Sequence, residues 1–406
     1  MTRTMKDSGI GWIGEIPEDW SLNRTKNYFI IHKDIAGEKS DEYERLALTL
    51  NGGIRRSKED STGLQPEAFD GYQILRQNEL VFKLIDLENI STSRVGLCPF
   101  KNGIVSPAYI ILTPRDNINP KYSEYYYLSM WHREIFNHIG DDGVRSSLNA
   151  KDLLNVPITR PSMPEQQKIA DFLNEKCSHI DSVLEKTRAS IEEYKKLKQS
   201  VITKAVTKGI RPNRPMKDSG IEWIGEIPED WKIAQLKRFL KSNNGSEIKQ
   251  EVNKDDNEAI PVYGSGGVFK YTNEFMYSGE VVMFGRKGTL GKPLYVNDTF
   301  WTVDTMYYLN NFNGLIAKYT YYLLVAFDWI PFITQTALPS IVSSQIIAQH
   351  FPISSLKEQQ KIVLYLDNKC SELDKLITKK EQLIEELETY KKSLIYEYVT
   401  GKKEVC

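Results

Sequence analysis

The chain has 406 residues, a formal charge of −1 from 53 basic and 54 acidic side chains, and 40% hydrophobic and 11% aromatic residues. At about 150 residues per domain this length predicts two or three domains, and the composition excludes both a single small module and wholesale disorder. No apolar run approaches the roughly 18 to 20 residues that span a bilayer, and the opening MTRTMKDSG lacks a signal peptide's apolar region, so a cytoplasmic protein without a membrane partner is expected.

The first element in chain order announces a repeat. Residues 5–20 read MKDSGIGWIGEIPEDW and residues 216–231 read MKDSGIEWIGEIPEDW, differing only at Gly11 and Glu222. Two copies of one plan are therefore expected. Residues 21–160 are rich in aromatic and β-branched residues with glycine punctuation, which predicts strands at 80–85 and 109–112 and a short helix over 122–136. EQQKI then opens a long amphipathic segment at Glu165. Stepping by fours and threes from Ile169 meets Leu173, Cys177, Ile180, Leu184, Thr187, Ile191, Tyr194, Lys198, Val201 and Ala205, a coiled-coil seam. Gly209, Pro212 and Pro215 stop it.

After the second MKDSGI segment, residues 232–355 share little with residues 21–160. Strands are predicted at 260–263, 280–284 and 300–303, and a helix over 318–327. EQQKI returns at Glu358, and the seam repeats as Ile362, Leu366, Cys370, Leu373, Ile377, Lys380, Ile384, Leu387, Lys391, Leu394 and Tyr398, with polar breaks at matching steps. Each segment of about 45 residues makes a rod of about 65 Å at roughly 1.5 Å per residue. The expected boundaries are 1–160 for the first variable domain with its repeat segment, 161–209 for the first helix, 210–355 for the linker, second repeat segment and second variable domain, and 356–406 for the second helix. A mixed α/β (α+β) protein follows, a pseudo-twofold, circular repeat in which the two helices pair as an antiparallel coiled coil, the variable domains lie at opposite ends and residues 5–20 lie near the end of the last helix. Cys98, Cys177, Cys370 and Cys406 include no C-x-x-C, so neither zinc nor a disulfide framework is expected. Cys177 and Cys370, at the same seam position, read as buried apolar thiols.

Catalytic motifs are missing. The loop GRKGTLGK (residues 285–292) has the wrong spacing for a phosphate-binding loop, and Pro293 stands where that motif needs a hydroxyl. There is no glycine-rich nucleotide or S-adenosylmethionine fingerprint and no Asn/Asp-Pro-Pro-aromatic motif. His132 and His138, the only close histidine pair, read as a partly exposed helix rather than a metal site. The glycine loop suits another task, because glycines allow close backbone approach, Arg286 and Lys287 can reach phosphates or guanine edges, and Thr289 offers a hydroxyl or methyl group. Tyr263, Ser265 and Ser340 have similar character. The counterparts chosen in the first variable domain are Arg55, Arg56, Lys101, Asn102, Arg145, Ser146 and Ser147; for each residue the alternative is a solvated turn.

Charge helps little. Residues 21–160 carry 18 basic and 18 acidic side chains and residues 232–355 carry 11 and 10, so neither variable domain has the balance of an unaided tight DNA binder. Only residues 185–214, with nine basic against three acidic side chains, stand out, and a solvated helix face explains them equally well.

The GWIGEIPEDW segments, the EQQKIADFL and EQQKIVLYL helices and the two dissimilar domains together resemble the specificity subunit of type I restriction-modification enzymes. GIVSPAY (103–109), GRKGTLGK (285–292) and WTVDTMYY (301–308) are similar to motifs of that family's target-recognition domains. One departure is that Met163 and Pro164 precede the first EQQKI, whereas Leu356 and Lys357 precede the second. The resemblance implies a non-catalytic subunit that reads double-stranded DNA, each variable domain taking one half of a split, asymmetric target and the helices setting the gap. It implies two modification subunits that methylate adenine with S-adenosylmethionine, restriction subunits that bring ATP and Mg for translocation and cleavage, and no cofactor in this chain. A coiled-coil scaffold without DNA binding and a self-sufficient methyltransferase are the alternatives, the first separated by a test for salt-dependent DNA binding with partners present and the second by S-adenosylmethionine binding to the isolated chain.

Overall fold

The computed structural model describes residues 3–49, 54–56, 68–85, 87, 93–139 and 147–405, without the side chains of Arg55 and Arg56. The chain divides into two compact units, Met1–Thr187 with Gln382–Cys406, and Arg188–Glu381. Each unit thus takes part of both long helices, Met163–Lys208 and Leu356–Val399.

Within the first unit, strands Phe29–Ile31, Ile110–Pro114, Leu80–Phe82 and Val95–Leu97 form a four-stranded antiparallel sheet in that spatial order. Against it packs the helix Pro120–His132, whose start is set by Asn119: its side chain accepts from the backbone N–H groups of Lys121 and Tyr122 at 2.9 and 3.0 Å, and Pro120 occupies the first turn. The expected helix over 122–136 therefore starts earlier. It also stops earlier, because Glu134 takes a left-handed conformation (φ 57°) and Ile135–His138 turns separately as a 3-10 helix. Tyr122, Tyr126 and Tyr127 are fully buried between sheet and long helix, and burial pushes the phenols upward, so they remain neutral donors.

His132 ends this helix with its ring 5.0 Å from that of Trp131. Burial first, then Lys392 and Lys391 nearby, push its pKa down to about 3. The folded chain then holds fewer protons here than the unfolded one between the two pKa values, so this stability is complete above about pH 6.5 and is lost as pH falls below it. We expect acidification from pH 7.5 to 5.5 to cost wild-type protein about 1 kcal/mol more than His132→Gln, read as urea midpoints at both pH values. Parallel losses in the two proteins would refute it.

In the second unit a six-stranded sheet runs Lys241–Asn244, Met306–Asn310, Tyr277–Gly285, Leu294–Thr302, Ile260–Gly264 and Gly267–Thr272 in spatial order. It curls around Val281, Met283, Phe300, Met306 and Tyr308, and its other face meets the helix Ala317–Ala326. The predicted strands and helix lie within or across these elements.

The long helices run antiparallel within each unit. In the first, Asp181 pairs with Lys391 at 2.7 Å and the rings of Phe172 and Tyr398 lie 4.5 Å apart; in the second, Lys198 pairs with Asp374 at 2.6 Å and Lys380 sits 5.7 Å from the Tyr194 ring centroid. The polar seam breaks Lys198 and Lys391 thus each meet an aspartate of the opposite helix, which fixes register more than it adds stability. Ile169, Leu173, Cys177, Ile180, Leu184 and Ile191 are buried, as are Ile362, Leu366, Cys370, Leu373 and Ile377, whereas Ile384 is half-buried. Cys177 and Cys370 are free thiols, and burial pushes Cys177 up to about 11 and raises Cys370, so both are poor nucleophiles.

The repeated motifs turn inward and build one joint twice. In the first unit Glu165 accepts from the Trp20 indole at 3.0 Å and from Arg3 at 2.5 Å, and Arg3 also pairs with Asp19 at 2.7 Å. In the second, Glu358 accepts from Trp231 at 3.0 Å and from Arg214, which also pairs with Asp230. Gln166 and Gln359, both fully buried, accept from the backbone N–H groups of Asn119 and Ile316 at 2.8 and 2.9 Å and donate to Pro161 and Ser354 carbonyls. The long helices end against the same tryptophans. Gly401 (φ 72°) and Gly209 (φ 73°) take the left-handed C-terminal position, and a Cβ on Gly401 would lie 2.4 Å from Pro17. Tyr396 and Lys402 both donate to the Ile13 carbonyl, so residues 5–20 do lie at the end of the last helix.

Candidate nucleic-acid interface

In the second unit, the connection between strands Tyr277–Gly285 and Leu294–Thr302 is a short loop held from three sides. The backbone N–H groups of Arg286 and Lys287 donate to the Thr305 carbonyl at 2.7 and 3.3 Å; Ile341 donates to the Arg286 carbonyl at 3.0 Å, and Lys287 bridges Ser340. On another side Thr289 N–H donates to Ser265 Oγ at 3.1 Å. Gly288 (φ 81°) and Gly291 (φ 69°) are left-handed, and side chains there would press on Ser265 and on Trp329.

This convergence sorts the residues chosen from sequence. Ser265 Oγ holds the Thr289 N–H, and Ser340 bridges Lys287 through its backbone while its hydroxyl lies 3.1 Å from that of Thr334, so both hydroxyls have partners within the unit. Tyr263 turns its ring to Phe300 at 6.3 Å, within the curled core, and burial raises its phenol. Arg286 is exposed and Lys287 half-exposed, and among the described residues neither side chain meets a carboxylate. Thr289 is half-buried beside them. Two cations without partners among the described residues, on a loop whose backbone is tied to Thr305, Ile341 and Ser265, are free to meet phosphates and base edges.

The first unit does not gather its candidates in the same way. Strand Ile54–Arg56 pairs with Leu46–Leu48, setting Arg55 opposite Ala47 and Arg56 opposite Leu46, and Arg45 bridges Ile104 of Asn102–Val105. Arg55 and Arg56 thus lie on one strand and Asn102 on another, with Lys101 just before it, and Lys101 and Asn102 are exposed. Ser147 instead bridges Ile85 on the continuation of another strand, and Arg145 and Ser146 lie outside the described residues. Arg76, opposite Asn102, is engaged by Asp34 and His32. Arg3 and Arg214 were missed in the sequence, although each stands two residues before the repeated methionine, because the mismatch of Thr4 with Pro215 sets them outside the repeated segment.

The description "type I restriction modification DNA specificity domain" fits this chain twice, over residues 51–193 and 228–389. The chain belongs to that family. A specificity subunit is the DNA-sequence-recognising, non-catalytic component of a type I system, and has no cofactor of its own. Two relatives from Methanocaldococcus jannaschii agree over nearly their full length. The chain named as the MjaX type I restriction enzyme specificity subunit is 24% identical, covering 96% of this chain and 95% of its own, and the MjaVIII specificity subunit is 22% identical, covering 95% and 93%. A solved chain described under complex assembly and conformational transition of the type I R-M system shares the fold at a TM-score of 0.74 and 13% identity, covering 96% of this specificity subunit and 99% of the solved chain. No described helix of the subunit is long and apolar enough to cross a membrane.

Proposed function

We propose that this specificity subunit reads a split, asymmetric duplex target, residues 21–160 reading one half and residues 232–355 the other, and that it directs adenine methylation by two modification subunits using S-adenosylmethionine. In this reading residues 1–160 and 210–355 hold the target-recognition domains, residues 161–209 and 356–406 are the helices that set the gap, and restriction subunits add ATP- and Mg-dependent cleavage. The proposal rests chiefly on the pinned loop that presents Arg286 and Lys287 without acidic partners among the described residues, in a chain whose family match occurs twice. The near-zero charge assigns much of the phosphate grip to partner subunits.

Two measurements test it. Methylated adenines mapped in DNA from cells expressing this chain with a modification subunit should define a motif of two short parts at a fixed spacing, lost when the chain is omitted; a continuous motif would refute the split target. The isolated subunit should bind DNA weakly with a shallow salt dependence and tighten strongly on addition of modification subunits, whereas nanomolar, steeply salt-dependent binding by the subunit alone would assign the phosphate grip to this chain.

A further inference from the structure

The segment that follows Phe332 is a small closed loop. Thr334 N–H donates to the Ser340 carbonyl at 3.0 Å, Ser340 N–H donates back to Thr334 Oγ1 at 3.0 Å, and the two hydroxyls lie 3.1 Å apart. Inside this neck Thr336 Oγ1 donates to the Leu338 carbonyl at 2.9 Å, and Pro339 restricts Leu338 to extended backbone. The leucine at the tip is 58% exposed. Two residues later the chain bridges Lys287, and Ile341 bonds the Arg286 carbonyl, so one backbone seam carries both the apolar tip and the two cations.

A leucine held in water forgoes the free energy of burial, and a loose loop would fold it back against the domain. The hydrogen bonds across the neck instead keep it presented, with the ordering cost already met before any ligand arrives. The ligand that suits adjacent unpartnered cations is an anionic duplex. On the major-groove edge of such a duplex the bases offer polar donors and acceptors and one apolar group, the C5 methyl of thymine.

We infer that Leu338 is a specificity-determining residue that packs on a thymine methyl in the half-site read by the second variable domain. The inference rests on the DNA-reading role proposed above. The test uses the full chain assembled with modification subunits and duplexes in which each thymine of that half-site is replaced singly by deoxyuridine. Wild type should lose about fourfold in affinity at one position, the fold-change for about 0.8 kcal/mol of one buried methyl-sized group, and Leu338→Ala should not respond at that position. Uniform tolerance of deoxyuridine by wild type, or an unchanged response in Leu338→Ala, would overturn the inference while leaving target reading intact. Insertion of Leu338 between base steps would show as loss of affinity on Leu338→Ala without any methyl dependence, which also overturns it. An assembled wild type with no preference for any half-site would overturn both this inference and the function it rests on.

Discussion

Replacing Glu358 with alanine is expected to destabilise the second unit by about 3 kcal/mol or more, the range for breaking a buried, hydrogen-bonded ion pair. Glu358 and Arg214 have side chains only 6% and 11% exposed, so removal of the carboxylate strands a desolvated guanidinium with Asp230 alone and leaves the Trp231 indole without its acceptor. The matching change in the first unit, Glu165→Ala, should cost less, because Glu165 and Arg3 are 23% and 21% exposed and water can take over part of the lost bonding. Urea unfolding of both variants, with hydrogen exchange of the first turns of the long helices as the local readout, measures the difference. A double variant, Arg214→Met with Glu358→Met, should recover much of the loss, since no charge is then left buried. A Glu358→Ala protein within 0.5 kcal/mol of wild type would show the joint to be decorative.

For Arg286→Ala, the expected result is a change in sequence preference rather than a general loss of binding. If the guanidinium makes a bidentate contact to a guanine edge, its removal costs about 1 to 3 kcal/mol at one position of one half-site, leaving the half-site read by residues 21–160 unaltered. Loss of a phosphate contact would weaken all sequences alike and reduce the salt slope by about one. Selection of bound sites from random DNA by the assembled methyltransferase, repeated at two salt concentrations, separates the outcomes. Unchanged affinity and preference at both half-sites would reduce the loop to a solvated turn. Because the Arg286 side chain has no partner among the described residues and its backbone is held by Thr305 and Ile341, truncation should leave the fold alone.

The joint changes what constancy of the repeated segments means. A surface kept constant for partners would show its repeated side chains outside, yet Ile13, Ile16, Trp20, Gln166 and their counterparts Ile224, Ile227, Trp231 and Gln359 are buried. These residues connect a variable domain to a long helix, and other positions of the same motifs, such as Lys168 and Lys361, are exposed. One joint geometry can carry two unlike domains in part because its buried glutamines bond backbone, the N–H groups of Asn119 and Ile316 and the carbonyls of Pro161 and Ser354, whereas side-chain contacts such as Trp12 with Tyr126 and Trp223 with Phe327 are aromatic in both units.

The repeat, the two long helices and the seam were legible in the sequence because they are local and periodic: a seam recurs every three or four residues whatever its partner is, and Trp20 and Trp231 stand in segments identical but for one residue. The loop at 285–292 was legible for the same reason, its glycines and cations being contiguous. Tertiary structure alone decided what those residues do. Ser265 and Ser340 lie far from Arg286 in sequence, and only the curled sheet and the bridge to Lys287 bring them to its loop. Lys198 and Lys391 looked like flaws in the seam until the antiparallel pairing within each unit brought Asp374 and Asp181 opposite them. Leu338 carries no signal in its own neighbourhood; its meaning comes from two hydrogen-bonded hydroxyls six residues apart and from a neighbouring loop. Periodicity is a property of the chain, whereas the partner of a charge, the burial of a ring and the exposure of a leucine depend on segments distant in sequence, which only the fold brings together.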